Sequence, residues 1–492
     1  MSPVTFDKFW NVIDGKLAST AATRHGINPA RIEELPPVPV STQNDVQAAV
    51  DAARRAAPAW AAVPLQERQR RVVQLAEALS SQQDDFAKML TLEQGKTLAA
   101  AAGEVASAVK ILQGTAKLEL QDTVVEDNDR QRVVTRYVPI GVCVGIVPWN
   151  FPLSLCTFKL GPALVAGNPI ILKPSPFTPY CGLKFVELAQ QFFPPGVVQA
   201  LSGEDNLGPW LTAHPGVDKV SFTGSTQTGI KVMQSCAATL KRVTLELGGN
   251  DPAIICSNVD VPSVAAKVAG MALYNSGQVC IAIKRIYVHS SIYDAFMEAV
   301  LAAVRNVNVG DGQDPDSSIG PVQNKMQYEK LISMLDSIQK DGLKVSTPNP
   351  EKTFSNKSGF FINPVVVSNP PDTSRIVEEE PFGPIFPVMK WDTEEEVIQR
   401  ANSSKDGLGA SVWSSDLAQA DRISKQLQAG TVWINSHMQL QPNATFGGHK
   451  QSGIGSELGI EGLKSYCNVQ TQAPLQAEQT VGSGLTHLKE QG

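Results

Sequence analysis

Hydrophobic and polar positions follow one rhythm in the first part of this 492-residue chain and another from about residue 140 onward. Thr42 and Asp45 form a capping pair ahead of Val46, Ala49, Val50 and Ala53, which fall on one helical face. Val72, Leu75, Ala76 and Leu79 make a second stripe, and Phe86, Met89 and Leu90 open a third that stops near Gly95. The first hundred residues are therefore predicted helical after a short irregular start. Between Lys117 and Val138 the pattern shortens, with Val134, Arg136 and Val138 alternating against Thr135 and Tyr137. That alternation predicts a strand pair that projects from the body and meets another subunit.

From Val142 short apolar runs alternate with helix-length segments. The predicted strands are Val142–Val147, Ile170–Lys173, Val197–Leu201, Val217–Phe222 and Val243–Leu247, with helices near Leu155–Ala166, Tyr180–Phe192, Gly208–Ala213 and Gln227–Ala237. Repeated strand-helix units imply a parallel sheet covered on both faces, which binds ligands at the carboxyl ends of its strands. After Asn250 a second alternation begins: strands near Arg285–Val288, Phe360–Val367, Pro384–Val388, Leu408–Trp413 and Thr431–Ile434, and helices near Tyr293–Val304, Lys325–Gln339, Glu394–Ala401 and Leu417–Gln428. Beyond Tyr466 the chain turns polar, as a mobile tail would.

Length alone demands more than one hydrophobic core. A net charge of −6 without a basic run gives no footprint for nucleic acid. Seven cysteines, an odd number with no C-x-x-C pair, suggest neither a disulfide framework nor a zinc site, and no metal is expected. A reducing, cytoplasmic setting fits this usage. Met1–Trp10 carries charges of both signs and does not read as a secretory signal. Val138–Phe158 is uncharged and long enough to span a bilayer, yet Pro139, Pro148 and Pro152 would break a helix there. A buried strand running into a loop is predicted instead, and no membrane partner.

Candidate chemistry is dispersed. The turn Asn275-Ser276-Gly277-Gln278-Val279-Cys280 ends an apolar, helix-like segment and delivers a cysteine, which is either a nucleophile or a small buried hydrophobe. Glu246 lies within the apolar run Val243-Thr244-Leu245-Glu246-Leu247, where burial would raise its pKa or demand a partner, unless it faces water. Asn150 stands between Pro148 and Pro152, as an oxyanion donor or as part of a turn. Lys173 ends a strand, within reach of a ribose or phosphate or simply solvated. No G-x-G-x-x-G follows any strand; Phe222-Thr223-Gly224-Ser225 instead offers free N–H groups to a phosphate, or an ordinary helix N-cap at Ser225.

Together, Pro148-Trp149-Asn150, Lys173-Pro174-Ser175, Phe222-Thr223-Gly224-Ser225, Glu246-Leu247-Gly248-Gly249, Gly277-Gln278-Val279-Cys280, Glu380-Pro381-Phe382-Gly383-Pro384 and Phe446-Gly447-Gly448 resemble the aldehyde dehydrogenase superfamily, in family order over nearly the whole chain. The resemblance implies an α/β fold: a Rossmann-like cofactor domain (1–120 and 140–248), an α/β catalytic domain (249–451), a small β oligomerisation element (121–139 and 467–478) and a polar tail (479–492). It implies NAD(P)-dependent oxidation of an aldehyde to the acid by a homodimer or homotetramer. By the same resemblance Cys280 is the nucleophile, Glu246 the general base and Asn150 the oxyanion donor. Lys173 and Glu380 hold the two riboses, Ser225 touches the pyrophosphate and Phe382 packs by the nicotinamide. Ile146, Pro148, Trp149, Ser175, Phe222, Gly224, Leu247 and Gly248 complete the cofactor set.

Family position also implies a substrate tunnel lined by Phe151, Leu155, Phe158, Tyr274, Val279, Ile281 and Phe446, whose apolar character suggests an aliphatic or aromatic aldehyde. His437, His449 and Gln439 could add a polar contact there, and are expected instead at the surface. Pro176 replaces the glutamate that many relatives place after Lys-Pro-Ser; its loss removes a ribose hydrogen bond and also a repulsion toward a 2′-phosphate, so NAD is expected with NADP open. Thr445 and Ser456 depart from the residues frequent in relatives without touching the chemistry. A second reading, a silent protein that keeps the fold, lacks a reason to retain Cys280, Glu246 and Asn150 together.

Overall fold

The computed structural model describes residues 3–346 and 358–474. The predicted polar tail, and the final residues of the predicted oligomerisation element, lie outside the described residues.

The larger sheet has eight strands in the order Lys16–Ala18, Asn11–Ile13, Val198–Ala200, Ile170–Lys173, Cys143–Ile146, Lys219–Thr223, Arg242–Glu246 and Gly453–Ile454. Its central five strands are parallel, and the outer pairings are antiparallel. From Cys143–Ile146 the chain builds outward in one direction through two strands, then returns and builds through Lys219–Thr223 on the other side. That reversal opens a crevice at the carboxyl ends of the strands. Every candidate cofactor residue before Gly249 lies at those ends or in the loops that follow.

A second, wholly parallel sheet runs Val365–Ser368, Ile385–Trp391, Ile283–His289, Asp251–Ile255, Gly409–Trp413 and Thr431–Ile434. Only Leu247-Gly248-Gly249-Asn250 separates Glu246, the last residue of a strand in the first sheet, from Asp251, the first of a strand in the second. The chain thus passes from the carboxyl end of one sheet to the amino end of the other. A third sheet pairs Thr123–Asp127, Arg132–Pro139 and Cys467–Gln472 antiparallel.

Helix Gln43–Ala61 begins where its sequence signal places it: Thr42 and Asp45 exchange reciprocal backbone bonds as a capping box. The N-terminal start is not irregular. Thr23–Asn28 and Glu33–Pro39 form an antiparallel hairpin, and Asn11–Ile13 and Lys16–Ala18 extend the large sheet. Pro36, Pro37 and Pro39 hide the hairpin from a pattern search, since proline marks only edge strands. The uncharged stretch Val138–Phe158 contains the buried strand Cys143–Ile146, then a loop, then the start of helix Ser154–Ala166. Among the described residues, no helix is long and apolar enough to cross a membrane.

Candidate active site

The cysteine turn is built from strained backbone. Asn275 and Ser276 hold left-handed φ values of 51° and 57°, a region costly for residues with a Cβ, and Gly277 follows at 73°. A Cβ on Gly277 would stand 2.1 Å from the carbonyl oxygen of Gly383, so only glycine fits. Side chains hold the turn: Ser276 Oγ donates to Gly320 O at 2.8 Å, and Gln278 Oε1 accepts from Gln323 N at 2.8 Å. Lys284 Nζ donates to the carbonyls of Val279 (2.8 Å) and Cys280 (2.6 Å) and lies 3.2 Å from Glu380 Oε1. The consequence is a cysteine presented on a rigid loop.

Cys280 is half-buried and lines a cavity of about 250 Å³. Asn150, Phe151, Leu155, Phe158, Tyr274, Val279, Ile281 and Phe446 line the same cavity, so the structure gathers all seven predicted tunnel residues around the thiol and the amide. Burial pushes the Cys280 thiol up to about 12; Lys284 opposes, while Glu380, Asp251 and Glu246 add to the rise.

The turn that carries Asn150 is fastened on both sides. Its side-chain Nδ2 donates to Gln278 O at 3.0 Å. Its own carbonyl accepts from Lys96 Nζ at 3.0 Å and from Asn275 Nδ2 at 3.3 Å. Lys96 is ion-paired with Glu104 at 2.6 Å, and Glu104 Oε1 accepts from the backbone N–H groups of Leu153 (2.9 Å) and Ser154 (3.1 Å). Those donors open helix Ser154–Ala166 and have no partner within it, so an acid from another helix caps them. Neither Lys96 nor Glu104 was singled out by sequence. The available signal was a lone acid within the Ala-rich run Leu98-Ala99-Ala100-Ala101-Ala102-Gly103-Glu104-Val105.

Glu246 is 3% exposed and neither carboxylate oxygen has a hydrogen-bond partner. Burial raises its pKa well above the ordinary carboxyl range, Glu457 adds to the rise and Lys159 opposes it. It does not line the Cys280 cavity. Behind it Lys159 Nζ, also buried, donates to Glu457 Oε1 and Thr223 Oγ1, both at 2.7 Å. Lys159 is the charge that ends the uncharged stretch from Val138, and that position is the signal for it in the sequence.

His437 corrects an expectation. It is fully buried rather than at the surface, with Nε2 donating to Ile281 O at 2.8 Å and lying 3.8 Å from Asp251 Oδ2. Burial lowers its pKa to about 3, so it is a neutral imidazole. His449 is exposed as expected, and Gln439 is exposed at the rim of the cavity.

On the cofactor side, Lys173 is buried, its pKa pulled down by burial to about 8, and its Nζ has one weak acceptor, Pro174 O at 3.5 Å. A nearly unpartnered buried ammonium suits a ribose or phosphate. Arg24 reaches the same place, its guanidinium donating to Pro176 O at 2.6 Å. Ser225 is the N-cap of helix Thr226–Ala237, its Oγ accepting from Thr228 N at 3.3 Å, so the plain capping reading holds alongside any phosphate role. Trp149 and Phe382 meet edge to face at 5.3 Å. Glu380 Oε1 accepts from Gly249 N at 3.2 Å. Among the described residues no cluster of His, Cys, Asp and Glu could hold a metal ion.

The family model described as aldehyde dehydrogenase family matches residues 17–472. The chain belongs to the aldehyde dehydrogenase family. It is similar to aldehyde dehydrogenase LUC3 of Fusarium sp., 41% identical over 95% of this chain and 98% of that one. Its fold matches a solved NADP-dependent enzyme of E. coli at a TM-score of 0.92, with 33% identity over 96% of this chain and 98% of that one. It also matches betaine aldehyde dehydrogenase of Staphylococcus aureus, solved with NAD+, at 0.91, with 33% identity over 94% of each chain. The α/β aldehyde dehydrogenase fold and NAD(P)-dependent aldehyde oxidation follow from this membership.

Proposed function

We propose that this aldehyde dehydrogenase oxidises an apolar, aliphatic or aromatic aldehyde to the carboxylic acid through a thioester on Cys280. The observation that carries the reading is that Cys280 and Asn150 line one cavity, walled also by Phe151, Leu155, Phe158 and Phe446. The Cys280 thiolate attacks the aldehyde carbon, and the Asn150 amide with the Cys280 backbone N–H receives the developing oxyanion. A nicotinamide dinucleotide held in the crevice would supply the hydride acceptor that this oxidation needs. Cys280 then carries an acyl group, and Glu246 takes the proton from the water that releases it as free acid. Burial raises the Glu246 pKa and so disfavours the ionised form that this step uses.

Lys173, Ser175 and Ser225 would hold the adenosine ribose and pyrophosphate of that cofactor, Glu380 the second ribose, and Trp149 and Phe382 would flank the nicotinamide. Ile146, Pro148, Phe222, Gly224, Leu247 and Gly248 complete the crevice. NAD is the expected cofactor; Pro176 beside two cations, Lys173 and Arg24, supports acceptance of NADP as well. We assign 1–120 and 140–248 to cofactor binding, 249–451 to catalysis, and 121–139 with 467–478 to assembly of a homodimer or homotetramer. The edge strand Cys467–Gln472, with Val469 exposed, supports the last assignment. Cysteines that are all free thiols support a reducing, cytoplasmic setting.

Purified protein given hexanal and benzaldehyde with each nicotinamide cofactor should yield reduced cofactor and acid in equal amounts. Cys280→Ser should abolish both. Acid formed by the serine variant at the parent rate would end the proposal.

A further inference from the structure

A second depression adjoins the active-site cavity and is larger, about 480 Å³ against 250 Å³. It lies between helices Leu98–Thr115 and Val261–Leu273 and is floored by small side chains, among them Ala99, Ala100, Ala266 and Ala269. The one charged residue on its wall, Lys96, turns its ammonium inward to Glu104. The depression is concave and mostly apolar, as ligand sites are.

Gly103 and Tyr274 belong to both walls. At Gly103 the space where a Cβ would stand has no atom within 4 Å, so the shared wall is lowest there. Tyr274 is 38% exposed and stacks on Phe151 at 6.2 Å and 20°, and the left-handed pair Asn275-Ser276 holds it at the boundary. The cavity over Cys280 is by itself below the roughly 300–1,000 Å³ of ordinary ligand sites, and the two spaces together fall within that range.

We propose that this groove receives the distal end of a long-chain aliphatic aldehyde whose carbonyl is held at Cys280, the tail crossing beside Gly103 and Tyr274. The proposal rests on the aldehyde-oxidising reading above and narrows its substrate class. Continuity with the Cys280 cavity favours a substrate tail over a second copy of the chain as occupant. Each methylene that reaches the groove should raise kcat/KM by about fourfold.

Gly270 lines the groove but not the Cys280 cavity, and a Cβ there also meets nothing within 4 Å. Gly270→Leu therefore starts from an open Cβ position and improves helix propensity; Ala266→Leu is a second filler. Steady-state kinetics with hexanal, decanal and dodecanal, plus sedimentation velocity, form the test. The parent should prefer dodecanal over hexanal at least tenfold, and both variants should lose that preference while keeping hexanal turnover within about twofold. A parent indifferent to chain length, or fillers that leave the dodecanal preference intact, would overturn the proposal. Fillers that change only the sedimentation coefficient would identify the groove as a contact between copies and overturn it as well. A parent that oxidises no aldehyde would bring down the underlying reading, and this inference with it.

Discussion

The ammonium of Lys96 and the carboxylate of Glu104 meet at 2.6 Å with both side chains at most 1% exposed. The free hydrogen-bonding capacity of each is spent on one turn, Lys96 on the Asn150 carbonyl and Glu104 on the N–H groups of Leu153 and Ser154. Lys96 also lies 3.9 Å from the centre of the Phe151 ring. Burial pulls its pKa down and Glu104 pulls it back up, so the pair stands or falls as a unit.

Breaking the pair from one side leaves a charge stranded away from water. Glu104→Gln or Lys96→Met should each lower unfolding stability by about 3–5 kcal/mol. The double variant should recover a good part of that loss, because neither charge is then left alone. A double-mutant cycle in denaturant measures it, and strictly additive losses would show that the two residues are not coupled.

The resting thiol at Cys280 should react slowly at neutral pH. Its pKa stands at about 12, so the thiolate fraction grows about tenfold for each pH unit below that value. Alkylation by iodoacetamide, followed by mass spectrometry of the Cys280 peptide, should accelerate steadily from pH 7 to 9. Glu380→Gln removes a neighbouring negative charge and should raise the rate several-fold at fixed pH. A flat profile would mean that the thiolate is already formed.

Glu246→Gln should separate the two halves of turnover. The variant should release one equivalent of reduced cofactor per active site in a burst, then proceed at a steady rate lower by about 10²–10⁴. In the parent, the raised carboxyl pKa makes hydrolysis strengthen as pH rises and fade as pH falls through that pKa. The residual rate of the variant should lack that dependence. Stopped-flow absorbance at several pH values decides the matter.

Pro176→Glu would place a carboxylate beside Lys173 and Arg24. It should raise the NAD to NADP ratio of kcat/KM at least tenfold, by adding an acceptor for ribose hydroxyls and repelling a 2′-phosphate. Calorimetric titration with each dinucleotide gives an independent reading. An unchanged ratio would remove position 176 from cofactor choice.

What could be read in advance was whatever short-range pattern encodes. Parallel strands such as Ile170–Lys173 and Val365–Ser368 are runs of Val, Ile and Leu, and several residues that line the Cys280 cavity flank recognisable turns. Helix Leu98–Thr115 was not singled out because alanine on every side leaves no apolar stripe to find. Strand Asp251–Ile255 opens with Asp-Pro, which signals a turn, and becomes a strand only because it lies between Ile283–His289 and Gly409–Trp413. His437 looked like a loop histidine; its burial depends on Ile281 and Asp251, each more than 150 positions away. The Lys159–Glu457 pair behind Glu246 is hidden for the same reason, its partners being 298 positions apart. Lys96 and Glu104 are neighbours in sequence, and what stays hidden is that both close on the turn that bears Asn150.

The short crossing from Glu246 to Asp251 leaves no slack. A Cβ at Gly249 would stand 2.7 Å from the Cys280 carbonyl oxygen, so the connecting peptide is wedged against the loop that bears the thiol. The placement of the Glu246 strand end against the Cys280 loop is thereby set by main chain rather than by side chains, and a residue inserted between them would shift one against the other.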